Sequence, residues 1–166
     1  RRFANQCSQF HFLQCDEVEL LGIRFIGCTS WSLFNALGES EMPKAINFAE
    51  KFILDFKCIY TGENELFTPT DCIELGAQHK HFLEAALSSK TDQPTIVVTH
   101  FPPETELCHR NYPFNPQNPV SAYFMNDFHE LIQTYQPDYW MFGHTHDNYD
   151  VMHGKTRLIS CGRQRD

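Results

Sequence analysis

Apolar and polar positions change period several times along the chain, and each change predicts an element. Between Phe10 and Thr29 the alternation is imperfect and interrupted by Leu21-Gly22, which predicts a β-hairpin with a largely buried second arm, Ile23-Arg24-Phe25-Ile26-Gly27. Trp31 and Phe34 fall in the loop that follows. From Pro43 the apolar residues Ala45, Ile46, Phe48, Ala49, Phe52, Ile53 and Phe56 recur at three- and four-residue steps, which predicts an amphipathic helix ending near Cys58. Thr68 followed by Pro69 has the form of a helix start, and that helix is expected to run through Phe82, Leu83 and Leu87.

The second half reads differently. Thr95-Ile96-Val97-Val98-Thr99 is a short β-branched run, expected as a strand buried on both faces that delivers His100 to its carboxyl end. Phe101 to Pro119 is rich in proline and asparagine and is expected to be a long irregular loop. A helix is expected over Tyr123 to Tyr135, ended by Pro137. Tyr139-Trp140-Met141-Phe142 predicts a second buried strand that hands over to Gly143-His144-Thr145-His146, and Gly154 turns the chain into a last strand, Thr156 to Ser160. Mixed strands and helices over 166 residues predict a single α/β domain spanning 1–166.

Charge and composition narrow the function classes. Thirteen Lys plus Arg against 21 Asp plus Glu give a net charge of −8, which repels a phosphate backbone and argues against non-specific nucleic-acid binding. No apolar run reaches the roughly 18 residues of a membrane span, so a soluble, non-membrane protein is expected. The seven cysteines form no Cys-x-x-Cys pair, which favours reduced thiols and a cytoplasmic setting over a disulfide framework. A Gly-x-Ser-x-Gly elbow and a Gly-Lys-Ser/Thr phosphate loop are both missing, leaving serine-hydrolase and triphosphatase chemistry unsupported.

Histidine carries the candidate chemistry. His144 and His146 stand two residues apart on an extended segment and so share a side, and Gly143 permits a sharp turn before them. His100 ends another buried strand in the same manner, so neighbouring strands would bring three imidazoles to one rim as metal ligands. The bland alternative is three unrelated loop histidines. His79 and His81 diverge on a helix, and His11, His129 and His153 have no nameable partner. His109-Arg110 could meet a phosphate but reads more simply as exposed loop, and Phe101, Tyr112, Phe114, Tyr123 and Phe124 could wall an apolar pocket or simply be core.

Val97-Val98-Thr99-His100-Phe101-Pro102-Pro103, followed by Trp140-Met141-Phe142-Gly143-His144-Thr145-His146, resembles the last two motifs of the calcineurin-like metallophosphoesterases. Gly27-Cys28-Thr29-Ser30-Trp31, Thr68-Pro69 and Gly154-Lys155-Thr156-Arg157 are similar to further segments of bacterial members. The resemblance implies an αββα sandwich, two sheets flanked by helices, of which this chain is the later part with the first strands missing. It also implies that His100 and His144 hold one metal ion and His146 its neighbour, two divalent ions of manganese, iron or zinc in the complete protein.

Family members open with an Asp-x-His motif and continue with Gly-Asp and Gly-Asn-His-Asp or Gly-Asn-His-Glu. No Asp-x-His motif opens this chain, and neither of the later strings occurs in it. Three neutral imidazoles can hold one transition ion, but without carboxylates they do not neutralise two close divalent ions. The expectation is therefore phosphate mono- or diester hydrolysis by a dinuclear centre in the complete protein, with this chain inactive alone. The expected partners are a phosphate-ester substrate and either a docking N-terminal segment or a second copy of the chain. The alternative is a non-catalytic relative acting as a binding or scaffold module.

Overall fold

A computed structural model describes residues 10–108, 115 and 117–162. Its centre is a six-stranded sheet in the order β1-β2-β3-β4-β6-β5, with β1 Asp16–Leu20, β2 Ile23–Cys28, β3 Thr95–Thr99, β4 Tyr139–Met141, β5 Asn148–His153 and β6 Thr156–Cys161. The strands β2, β3, β4 and β6 run parallel, and antiparallel hairpin arms close both edges. The expected α/β class holds. Of the two sheets of the expected sandwich, the described residues form one.

The first hairpin follows from its turn. Leu20 pairs with Ile23, so Leu21 and Gly22 are the whole loop, and both have positive φ, 53° and 76°. That is the turn whose twist matches a β-ribbon. Across the sheet one row of side chains is in register: Ile26 opposite Val97, Val97 opposite Trp140, Trp140 opposite Leu158. All four are fully buried. Successive residues of a strand point to opposite faces, so this row makes one continuous apolar face. Two helices cover it, α3 (Pro69–Ser88) with Leu83 and α4 (His129–Tyr135) with Leu131 and Ile132. Each such side chain contributes about 1.5–3 kcal/mol through burial.

Thr68 caps α3 as expected: its hydroxyl accepts from the Asp71 N–H, while the Asp71 carboxylate accepts from the Thr68 N–H at 2.8 Å. The Thr68 hydroxyl, which donates to the Asp71 carboxylate at 2.6 Å, and the Thr68 N–H together hold that carboxyl below its ordinary pKa. The expected helix from Pro43 to Cys58 is instead two helices, α1 (Met42–Phe52) and α2 (Asp55–Cys58), separated where Ile53 is extended. An unbroken helix would place Phe52 and Phe56 on one face. The break leaves Phe52 exposed and turns Phe56 inward against Phe34, Phe67 and Tyr123.

The expected helix from Tyr123 to Tyr135 is also shorter than its periodicity. Pro119–Tyr123 is a tight three-residue-per-turn helix and α4 begins only at His129. Between them the N–H groups of Asn126 and Phe128 donate to the carbonyls of Pro102 and Pro103, at 2.9 and 2.8 Å. Those donors are thereby taken from helix and used to tie the preceding loop. That loop contains a further short turn, Thr105–Leu107. Strand β5 was absent from the expectations because its alternation is weak and mostly solvent-facing.

A second aromatic cluster sits off the sheet, made of Phe34, Ala45, Ala49, Phe56, Phe67, Cys72, Phe101, Ala122 and Tyr123. Trp31 packs on its rim, 4.8 Å from Phe67 and 5.3 Å from Phe101 between ring centroids. Through Phe101 and Tyr123 this cluster backs the strand ends.

Candidate metal centre at the strand ends

Neighbouring parallel strands end at the same rim, so the residues following β3 and β4 must meet. His100 follows β3, and its N–H and that of Phe101 both donate to the Thr29 carbonyl beyond β2, at 3.1 and 3.2 Å. Gly143 follows Phe142, and its N–H donates to the His100 carbonyl at 3.0 Å. A Cβ at position 143 would stand 3.5 Å from the His100 ring, an ordinary contact, so neither space nor a left-handed backbone demands glycine there. His144 then takes φ 67° and His146 φ 58°, the left-handed region that side chains disfavour. Gly162, beyond β6, fits closely under this turn, where a Cβ would fall 2.3 Å from the His146 carbonyl carbon.

The result brings two of the three candidate histidines together. His100 Nε2 lies 3.1 Å from His144 Nδ1, with ring centroids 4.9 Å apart. Two nitrogens each about 2.0–2.1 Å from one ion would be separated by about this distance, so the pair fits adjacent ligands of a transition metal. His146 is exposed and stands outside that pair, although its charge acts on His100. Aromatic rings fix His144: Phe101 stacks on it at 4.0 Å, and Phe124 and Tyr123 lie at 5.2 and 5.6 Å. Of the five aromatics considered as a pocket wall, these three thus pack the histidine. Tyr112 and Phe114 lie outside the described residues, as do His109 and Arg110.

Desolvation pushes the His100 pKa below its ordinary value. The Asp55 carboxylate opposes that shift and His146 adds to it. A neutral imidazole is the form that donates a lone pair to a metal. Asp55 enters because of the helix break at Ile53, where it accepts a hydrogen bond from the Tyr123 hydroxyl. Burial and this carboxylate push the Tyr123 phenol well above its ordinary value. No motif in the sequence marks Asp55.

A different histidine, His79, is buried within α3. The Trp31 N–H donates to its Nδ1 at 3.3 Å and the Gln14 amide nitrogen lies 2.8 Å from Nε2, so a protonated ring would meet donors where it needs acceptors. Burial lowers its pKa. It supports the Trp31 loop and is remote from His81 in role. The thiols of Cys28 and Cys72 are buried and pushed up to about 12, which leaves them protonated and inert.

Among the described residues, the ligating atoms that converge three at a time belong to Glu104, His129 and His153, all within 4.8 Å of one another. His129 and His153 had no partner in sequence. Asp127-Phe128-His129 has the Asp-x-His form, but it stands at the start of α4 and not on a first strand.

Comparison with known proteins bears on the fold and the family. Phosphopantetheinyl hydrolase from Mycobacterium tuberculosis superposes with a TM-score of 0.59 at 19% identity, covering 97% of this chain and 59% of that chain. A second crystal structure gives a TM-score of 0.51 at 13% identity over 95% of this chain and 48% of its own. The chain therefore spans less than two thirds of the length of either, and the likeness is one of fold. No curated protein sequence matches it. The calcineurin-like phosphoesterase profile matches residues 19–148, from β1 through the His100 and His144 turns to the start of β5, and the chain belongs to that family.

Proposed function

We propose that this chain supplies part of a dinuclear metal centre that hydrolyses phosphate mono- or diesters, with His100 and His144 on one ion and His146 on its neighbour. The observation that carries the reading is the 3.1 Å approach of His100 Nε2 to His144 Nδ1 at the ends of two adjacent parallel strands. Two divalent ions at such a centre neutralise phosphoryl charge and lower the pKa of a water.

The chain's own residues prepare the ligands. Desolvation favours the neutral form of His100, and Phe101 fixes the plane of His144. Asp55, held by Tyr123, adds negative charge within electrostatic range. Imidazoles alone leave two ions under-neutralised, so the bridging carboxylates come from chain outside these 166 residues, and the isolated chain is inactive. The sheet face turned away from α3 and α4, with Met141 39% exposed, supports docking of such a segment or of a second copy. The natural setting of this reading is cytoplasmic and reducing.

Replacing His144 by alanine in the complete protein tests it. The expected result is loss of one tightly held ion and of most hydrolysis of aryl phosphate esters. Near-normal turnover with both ions retained rejects the assignment and favours a non-catalytic binding module.

A further inference from the structure

Three segments far apart in sequence converge in a groove of about 870 Å³. Glu104 precedes the Thr105–Leu107 turn on the loop after β3, His129 is the first residue of α4, and His153 is the last residue of β5. The Pro103 carbonyl accepting from Phe128 N–H fixes the loop beside the start of α4. His153 pairs with Thr156 across the turn at Gly154, which fixes its strand position.

Both imidazoles direct Nδ1 at the same carboxylate oxygen, Glu104 Oε1. His153 contacts it directly and His129 stands 3.4 Å away. The imidazole rings are 4.3 Å apart between centroids. The side chains of Glu104 and His153 are only 12% and 17% exposed, so the carboxylate is largely withdrawn from water. Each ring nitrogen can donate an N–H to this oxygen, and the same convergence of donor atoms is what a cation requires. A cation at the point of convergence serves all three. Two ligands about 2.0–2.1 Å from a tetrahedral ion lie about 3.4 Å apart, the separation of His129 Nδ1 from Glu104 Oε1, while His153 Nδ1 stands closer to that oxygen and draws back to admit the ion.

We propose that Glu104, His129 and His153 form a second metal site that takes one divalent transition ion, with zinc the best match, and clips the loop after β3, α4 and the β5–β6 hairpin together. Two imidazoles and one carboxylate suit zinc, and the hard oxygen-seeking ions calcium and magnesium are disfavoured. Three protein ligands leave the fourth position to water. With neutral imidazoles the loaded site carries net positive charge, and the groove offsets it: Glu84, Glu106, Asp127 and Glu130 line it against Lys80. None of these residues belongs to the strand-end pair, so the proposal stands apart from the phosphoesterase reading.

The chain, stripped of metal, is titrated with zinc alone by calorimetry and with cobalt by visible absorption, which reports a four-coordinate nitrogen and oxygen site. In an H100A/H144A background one zinc per chain remains, with affinity within about threefold of the unaltered chain because the residues are not shared. E104Q and H129A each weaken that zinc by at least about tenfold and abolish the cobalt spectrum. His129 is mostly exposed, 59% for its side chain, so H129A preserves the fold and decides the matter if E104Q does not. If the double variant fails to fold, the otherwise unaltered chain decides, and H129A must bind one zinc fewer. Undiminished zinc in H129A, or a folded H100A/H144A chain that binds none, overturns the proposal.

Discussion

The two histidine clusters solve one problem in opposite ways. At the strand ends, His144 is held by packing, with a stacked Phe101 and flanking Tyr123 and Phe124, and His100 meets the edge of Phe101. In the groove, His129 and His153 are held by a carboxylate that both rings face. Packing orients a ring without committing its nitrogens, whereas a carboxylate orients it through a nitrogen and adds negative charge. The first arrangement therefore needs charge from elsewhere to hold two ions. The second brings one carboxylate of its own to the single ion proposed for it.

The sharpest way to break this contrast is to remove the packing. Phe101→Ala deletes a fully buried ring from the aromatic cluster and should cost about 3–5 kcal/mol in urea unfolding. In the folded fraction the His144 imidazole resonances should broaden or shift, while those of His153 stay in place; equal disturbance of both would mean the clusters are not separately supported. A smaller effect is expected from Gly162→Ala, whose new methyl would press on the His146 backbone at 2.3 Å. Overpacking of this kind costs about 1–3 kcal/mol. Its thermal midpoint should fall and its zinc site at Glu104 should be unaffected, and an unchanged midpoint would show that the turn after β4 yields freely.

Thr68→Ala, far from both clusters, removes one arm of the capping box and should cost about 1 kcal/mol without touching either metal affinity. The mildest probe is acid. His79 has a depressed pKa in the folded chain, so the unfolded chain binds the extra proton first. Stability is then fully present above the ordinary imidazole value of 6.5 and declines as pH drops below it. His79→Gln should flatten that decline in denaturant midpoints measured between pH 7 and 5; an identical slope in the variant would take the sensitivity away from His79.

Period and turn chemistry made much of the fold readable. The two-residue Leu21-Gly22 turn, the Thr68-Pro69 helix start and the β-branched run before His100 each act locally, and each is found. The errors arise where distant groups outbid local period. Phe56 leaves the α1 stripe for an aromatic cluster built from four other segments, and Asn126 and Phe128 lend their N–H groups to a proline-rich loop. The meeting of His100 with His144 was legible because each ends a buried strand. Glu104, His129 and His153 lie on a loop, a helix start and a weakly patterned strand, and no spacing rule joins such positions. Asp55 was hidden for the same reason, since only the break at Ile53 brings it near.

The backbone at His144 and His146 sits twice in the left-handed region. Residues with side chains resist that conformation by roughly 1–2 kcal/mol each, and glycine does not. Laboratory evolution for heat resistance alone would thus be drawn to swap the exposed His146 for glycine, an exchange that relaxes the chain without emptying a packed site, as loss of the His144 ring would. Hardiness and chemistry are opposed at this bend, and any campaign to toughen the protein has to screen for both at once.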